Sequence, residues 1–248
     1  MFCEIAPEEI LQWTKKDGEL HNYIGAVIPE ALAHTGATAF DEHLKGVQSV
    51  LRNWRADENL ATAGLFHSIY GTEGFQGFKL PFTKRQQIRQ LIGKKAERLV
   101  WIFCVVDRLT VDNLVDRYHE WLLQPAHGVA MVYQFTSRIE LGRFPIVFQD
   151  ESEWLDYIEL TLADWLEQVE GAAEKANDLY GWGIGEAFSY RRHAYHKMAE
   201  ILSTRRAPRL LVAKEMLQEV SSRFFASFRS FSVLNTPLFD KLGLQYRI

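Results

Sequence analysis

LATAGLFHSIYGTE, residues 60–73, is an apolar segment with a single imidazole within it. Leu60, Ala61, Gly64, Leu65 and Ile69 recur at helical spacing, so the segment reads as a short buried helix. His67 sits near its end, and Gly71 then breaks the helix. An imidazole inside a buried helix needs a metal, a carboxylate or a carbonyl as partner. The rest of the chain can be searched for that partner.

Upstream, Leu44, Val47, Val50, Leu51 and Trp54 form one helical stripe from Asp41 onward, with His43 at its start. Pro7 followed by Glu8 and Glu9 suits a helix start and predicts a helix to about Lys16. Residues 18–30 are mixed, and ADEN (56–59) reads as a turn. Downstream, GTEGFQGFKLPFT (71–83) is a Gly- and Pro-rich loop placed to contact a ligand. Thr83 can cap one helix running to about Asp107, with a buried face of Ile88, Leu91, Ile92, Ala96, Leu99, Val100 and Phe103. Another helix spans about 111–123 and stops before Pro125.

GVAMVYQF and RFPIVF, within 126–149, are β-branched and aromatic and are compatible with one small hairpin. Residues 152–169 form a strong helix: Trp154, Leu155, Ile158, Leu162, Trp165 and Val169 share a side, with Asp164 on its edge. Residues 171–185 read as a linker, followed by helices at about 187–203 and 208–228 and an irregular tail. The expected fold is all-α.

A chain of 248 residues can bury a sizeable core, and its composition is that of a soluble globular protein. A net charge of -4 argues against general nucleic-acid affinity. Residues 172–248 nonetheless hold twelve Lys/Arg against seven Asp/Glu, a phosphate-facing surface or, as the favoured reading, an intramolecular docking face. Cys3 and Cys104 support neither a disulfide framework nor a cysteine metal site. MFCEIAPEEI lacks the features of a signal peptide, and the longest apolar run, 99–106, is too short to span a bilayer. The expectations are a cytoplasmic location, a small-molecule substrate, and no nucleic-acid or membrane partner. Homo-oligomerisation is left open.

His43, His67 and Asp164 lie on three separate helices, each near the buried face. Two imidazoles and a carboxylate converging in a bundle make a natural divalent-metal site; the competing reading is three satisfied core residues. The segments resemble the HD-domain metal phosphohydrolase superfamily, and most of all the ppGpp hydrolase domain of stringent-response enzymes. There a first His opens a helix, a second helix reads roughly AALLHD…EDT, and a later one carries LADRL. Here His43 is followed by LKGVQSVL, then AGLFHSIYGT (63–72), then LADWL (162–166). The resemblance covers roughly residues 30–170. It implies an HD-domain-like helical bundle over 1–170, carrying a C-terminal helical extension over 171–248, with His43, His67 and Asp164 as metal ligands.

The chain departs from that pattern where Ser68 stands in place of the family Asp, and YGT (70–72) in place of the acidic stretch. With its AGLFHS and YGT segments the chain resembles a divergent, uncharacterised branch of the superfamily, with HS in place of HD. A hydroxyl is a poor ligand for a divalent cation and cannot bridge two metals as a carboxylate does, which argues against a dinuclear centre; the expected cofactor is a divalent ion, Mn, Fe, Mg or Zn. The favoured expectation is a metal-dependent hydrolase of a phosphorylated or nucleotide-like small molecule, with Glu73 as general base and Ser68 positioning water or substrate. The alternatives are a mononuclear non-haem iron oxygenase, which uses two His and one carboxylate, and a non-catalytic ligand-binding protein. His34 and Tyr70 are candidates for a further ligand or substrate contact. Arg191, Arg192, His193 and His196, with Lys197, form a cationic cluster that reads as an anion clamp or, preferentially, a solvated helix face.

Overall fold

A computed structural model describes residues 7–28, 40–74, 76, 79–123, 133–174 and 186–206, with only the backbone described for 122–123, 168–174 and 186–193. His34, the region 175–185 and everything beyond 206 lie outside the described residues, as do the side chains of Arg191, Arg192 and His193.

Pro7, Glu8 and Glu9 open α1 (Pro7–Val27), which runs eleven residues past its expected end at Lys16. Leu20, Ile24 and Ile28 recur every fourth residue and are buried, so tertiary packing extends the helix through the mixed segment. Next comes α2 (Phe40–Asn53), with Leu44, Val47 and Leu51 buried on one stripe. Asp17 of α1 locks onto it by accepting from Gln48 (3.2 Å) and pairing with Arg52.

The apolar segment before His67 forms α3 (Glu58–Phe66), and every residue from Leu60 to Phe66 is buried. Asp57 caps it by accepting from the backbone N–H of Asn59 and Leu60 (2.9 and 3.0 Å), a device contributing about 1 kcal/mol. The helix stops at Phe66, five residues before Gly71. His67 to Tyr70 form tight turns, closed by Ile69 N–H to Phe66 O and Gly71 N–H to Ser68 O, both 2.9 Å. Gly64 lets α2 and α3 pack closely: a Cβ there would lie 2.6 Å from Leu51 Cδ1.

The single helix expected over 84–107 is two, α4 (Arg85–Ile92) and α5 (Lys94–Val105). Gly93 sits between them at φ 88°, a left-handed value open to glycine. The apolar periodicity continues across this break, and so concealed it. Helix α6 (Arg108–Leu123) starts three residues earlier than expected. The hairpin is present: β1 (Gln134–Thr136) pairs antiparallel with β2 (Pro145–Val147), and Pro145 sits at the end of the ladder. Its Phe135 packs edge-on against Trp154 and Tyr157 of α7 (Glu151–Glu174).

The described chain is thus mostly helical, with one small hairpin. Helix α7 is the axis, contacted by α2, α3, α5 and α8 (Glu186–Arg205). It is buried on nearly every side from Trp154 to Leu166, not on one face alone. Helix α8 lies against α6 and α7 through Tyr195, Met198, Ile201 and Leu202, with the Tyr195 ring stacked on Trp165 (4.4 Å between centroids). No helix among the described residues is long and apolar enough to cross a membrane.

Candidate metal centre

The contacts of α3 and α2 with α7 bring together three side chains that lie far apart in sequence. His67 Nε2 is 3.2 Å from His43 Nε2 and 3.3 Å from Asp164 Oδ1, and His43 Nε2 is 3.2 Å from the same oxygen. His67 is fully buried and Asp164 is 4% exposed.

The remaining ring nitrogens decide what faces inward. His67 Nδ1 lies 2.7 Å from Gly64 O, and a carbonyl can only accept, so Nδ1 carries the proton. In the neutral ring, Nε2 then presents a lone pair to the cluster. His43 Nδ1 donates to the Glu167 carboxylate, which orients the second imidazole in the same sense. Gly46 allows this approach, since a Cβ there would lie 2.6 Å from Glu167 Cγ.

Two imidazole lone pairs and a carboxylate oxygen pointing at one another repel unless a positive charge sits among them. A proton is one solution. Burial would lower the His43 pKa, but hydrogen bonds to Asp164 and Glu167 outweigh it and push it up to about 9. Burial would likewise raise the Asp164 pKa, but its bonds to His43 and His67 hold it well below the usual carboxylate range.

A divalent cation is the other solution. Donor atoms stand about 2.1 Å from a first-row divalent ion, and so roughly 3.0–3.5 Å from each other. The observed spacings fall within that range, all three donors lie within 4.8 Å of one another, and nitrogen with carboxylate oxygen suits such ions. These residues fit a metal.

On the far side of Asp164, Arg108 Nη2 stands 3.8 Å from Oδ2. Its guanidinium lies 4.7 Å over the Phe103 ring, which also meets His67 edge-on. Glu73 Oε2 accepts the Arg108 backbone N–H (2.9 Å), so the loop after α3 is tied to the start of α6. Glu73 is therefore tied to the backbone of Arg108 and is outside the three-donor group. Ser68 is buried in the turn beside His67.

Two sequence candidates lie elsewhere. The Tyr70 hydroxyl donates to Glu97 Oε1 (3.3 Å) and is buried there. His196 is half-exposed on α8, 3.6 Å from Glu200, while neighbouring Lys197 pairs with Asp116 of α6 at 2.7 Å. The described part of the cationic cluster thus helps dock α8.

Glu167 and Arg108 were missed. Glu167 had a readable signal, because Asp164 and Glu167 are three apart on one helix and so share a face. Arg108 had none, its partners being 35 and 56 residues away.

Residues 23–108 match a family model described as Domain of unknown function (DUF6817). The match includes His43 and His67 and ends at Arg108, and Asp164 lies beyond it. No curated protein matches the chain.

Proposed function

We propose that this protein is a metal-dependent hydrolase of a phosphorylated or nucleotide-like small molecule, with the cation held by His43, His67 and Asp164. The observation that carries the reading is the convergence of two Nε2 atoms and Oδ1 to within 3.2–3.3 Å of one another. The HD-type order of His43, AGLFHS and LADWL supports it, and the helical fold agrees with it. When bound, a divalent ion would supply Lewis acidity and a water of lowered pKa.

The chain's own residues do the rest. Glu167 holds His43 with its Nε2 facing the donors, and Gly64 O does the same for His67. Glu73 is the candidate base, anchored at the mouth of α6 by the Arg108 backbone. Ser68, next to His67 in sequence, is the candidate for orienting substrate or water. Phe103, edge-on to the buried His67 ring, keeps bulk water from that side of the donors.

A donor set of two imidazoles and one carboxylate also favours a second reading, a mononuclear iron oxygenase. Elemental analysis of the purified chain, with a phosphate-release panel, separates them. Near-stoichiometric manganese, magnesium or zinc with phosphate release is the expected result. Near-stoichiometric iron with O2 uptake on reduction would replace the hydrolase by the oxygenase. No retained metal and no turnover would leave a ligand-binding protein.

A further inference from the structure

The two oxygens of Asp164 face different partners. Oδ1 meets both imidazoles, while Oδ2 faces the Arg108 guanidinium at 3.8 Å. The carboxylate therefore spans a three-donor site and a fixed positive charge, as a bridging carboxylate spans two ions in a two-metal site.

The setting of Arg108 suits it for a ligand. An arginine stays charged at any working pH, and its planar fork matches the oxygens of a phosphoryl group. The Phe103 ring lies beneath the guanidinium, 4.7 Å from its central carbon, and its face attracts the cation without using any of its N–H donors. At 3.8 Å the pair with Asp164 is beyond hydrogen-bond reach, and the side chain is still 15% exposed. Arg108 is thus held beside the cluster without being saturated by a close carboxylate, unlike Arg85, which bonds Glu97 at 2.6 Å.

We propose that Arg108 binds the phosphoryl oxygens of the substrate, taking the electrostatic role that a second metal ion would otherwise fill. This rests on the hydrolase reading and adds the substrate's reacting group to it. The residue would clamp the phosphoryl group from the Oδ2 side while the three donors lie on the Oδ1 side.

The test uses the full chain and inorganic phosphate as probe. Phosphate affinity is measured calorimetrically on wild type, Arg108→Gln and Arg108→Lys, each metal-free (EDTA-treated) and manganese-loaded, with bound metal counted by elemental analysis. Arg108→Gln is expected to keep the wild-type metal stoichiometry while losing phosphate affinity by about tenfold or more. Arg108→Lys keeps the charge beside Asp164 but loses the fork, and is expected to fall between the two. Equal phosphate affinity in all three proteins, or no phosphate binding by wild type, overturns the assignment. Wild type that retains no metal would sink the metal reading, and phosphate titration of that same sample still decides the role of Arg108.

Discussion

Two of the buried carboxylates, Glu97 and Asp164, are enclosed to almost the same degree, and their surroundings are opposite. Glu97 on α5 is wholly buried, yet it receives Arg85 and Arg89 (2.6 and 2.9 Å at closest) and the Tyr70 hydroxyl. Two guanidiniums and a phenol are all donors, so its charge and lone pairs are satisfied by the protein itself. Asp164 on α7 instead meets two imidazoles whose outer nitrogens are committed to Gly64 O and Glu167. What is left inside is acceptor facing acceptor, which only a proton or a cation can relieve. Burial of an acid alone therefore does not mark a site. The balance of donors and acceptors around it does.

That contrast predicts different failures. The largest effect is expected for His67→Ala, which removes one of three donors: metal retention is lost, read by elemental analysis after dialysis, while the chain stays folded. Wholesale unfolding of the variant in a thermal melt would make His67 a packing residue, in the same structural class as Tyr70. Glu97→Ala should do the reverse, costing about 1–3 kcal/mol in chemical denaturation, because the hydrogen bonds from two partly exposed guanidiniums and the Tyr70 hydroxyl are lost. The folded fraction should hold metal as wild type does, and a parallel loss of metal would abolish the distinction between the two clusters.

Glu167→Gln comes next. It removes the charge behind His43 Nδ1 while leaving the donors in place, so metal affinity should fall about 10–100-fold with little change in melting temperature. An unchanged affinity in competition with a chelator would show that Glu167 does not orient the ring.

The smallest effect is in pH dependence. His43 titrates at about 9 in the metal-free fold, above its ordinary 6.5, so its stabilising contribution is complete below pH 6.5 and fades as pH rises through about 9. Asp164 is shifted down, so its contribution is present above its ordinary 3.8 and is lost as pH falls below that. Metal-free protein should therefore melt lower at pH 9 than at pH 6.5. Bound metal needs His43 neutral, so metal affinity should rise over the same interval. Melting scans with and without chelator at the two pH values read both, and a metal-free protein equally stable at each would contradict the proton's place in the cluster.

The three donors were legible because each sits on the rim of an apolar stripe: His43 before Leu44 and Val47, His67 after Leu65 and Phe66, Asp164 beside Trp165. The hairpin was legible from its aromatic and β-branched composition, even with Pro145 in it. The break at Gly93 was not, since Ile92, Ala96 and Leu99 keep helical spacing across it and only the backbone angle separates α4 from α5. The length of α1 was not legible either, because Leu20 and Ile24 hold it helical by packing against neighbours.

Local patterning settled the helical class, most element positions, and that His43, His67 and Asp164 lie beside apolar helix faces. These follow from local periodicity, which a few residues on either side suffice to set. Tertiary structure alone decided that His43 and His67, 24 residues apart, share an oxygen of Asp164, that Glu167 stands behind one ring, and that Arg108 faces the other oxygen. Those distances depend on how closely helices approach at Gly46 and Gly64, and helix packing is set by side chains scattered over the whole chain.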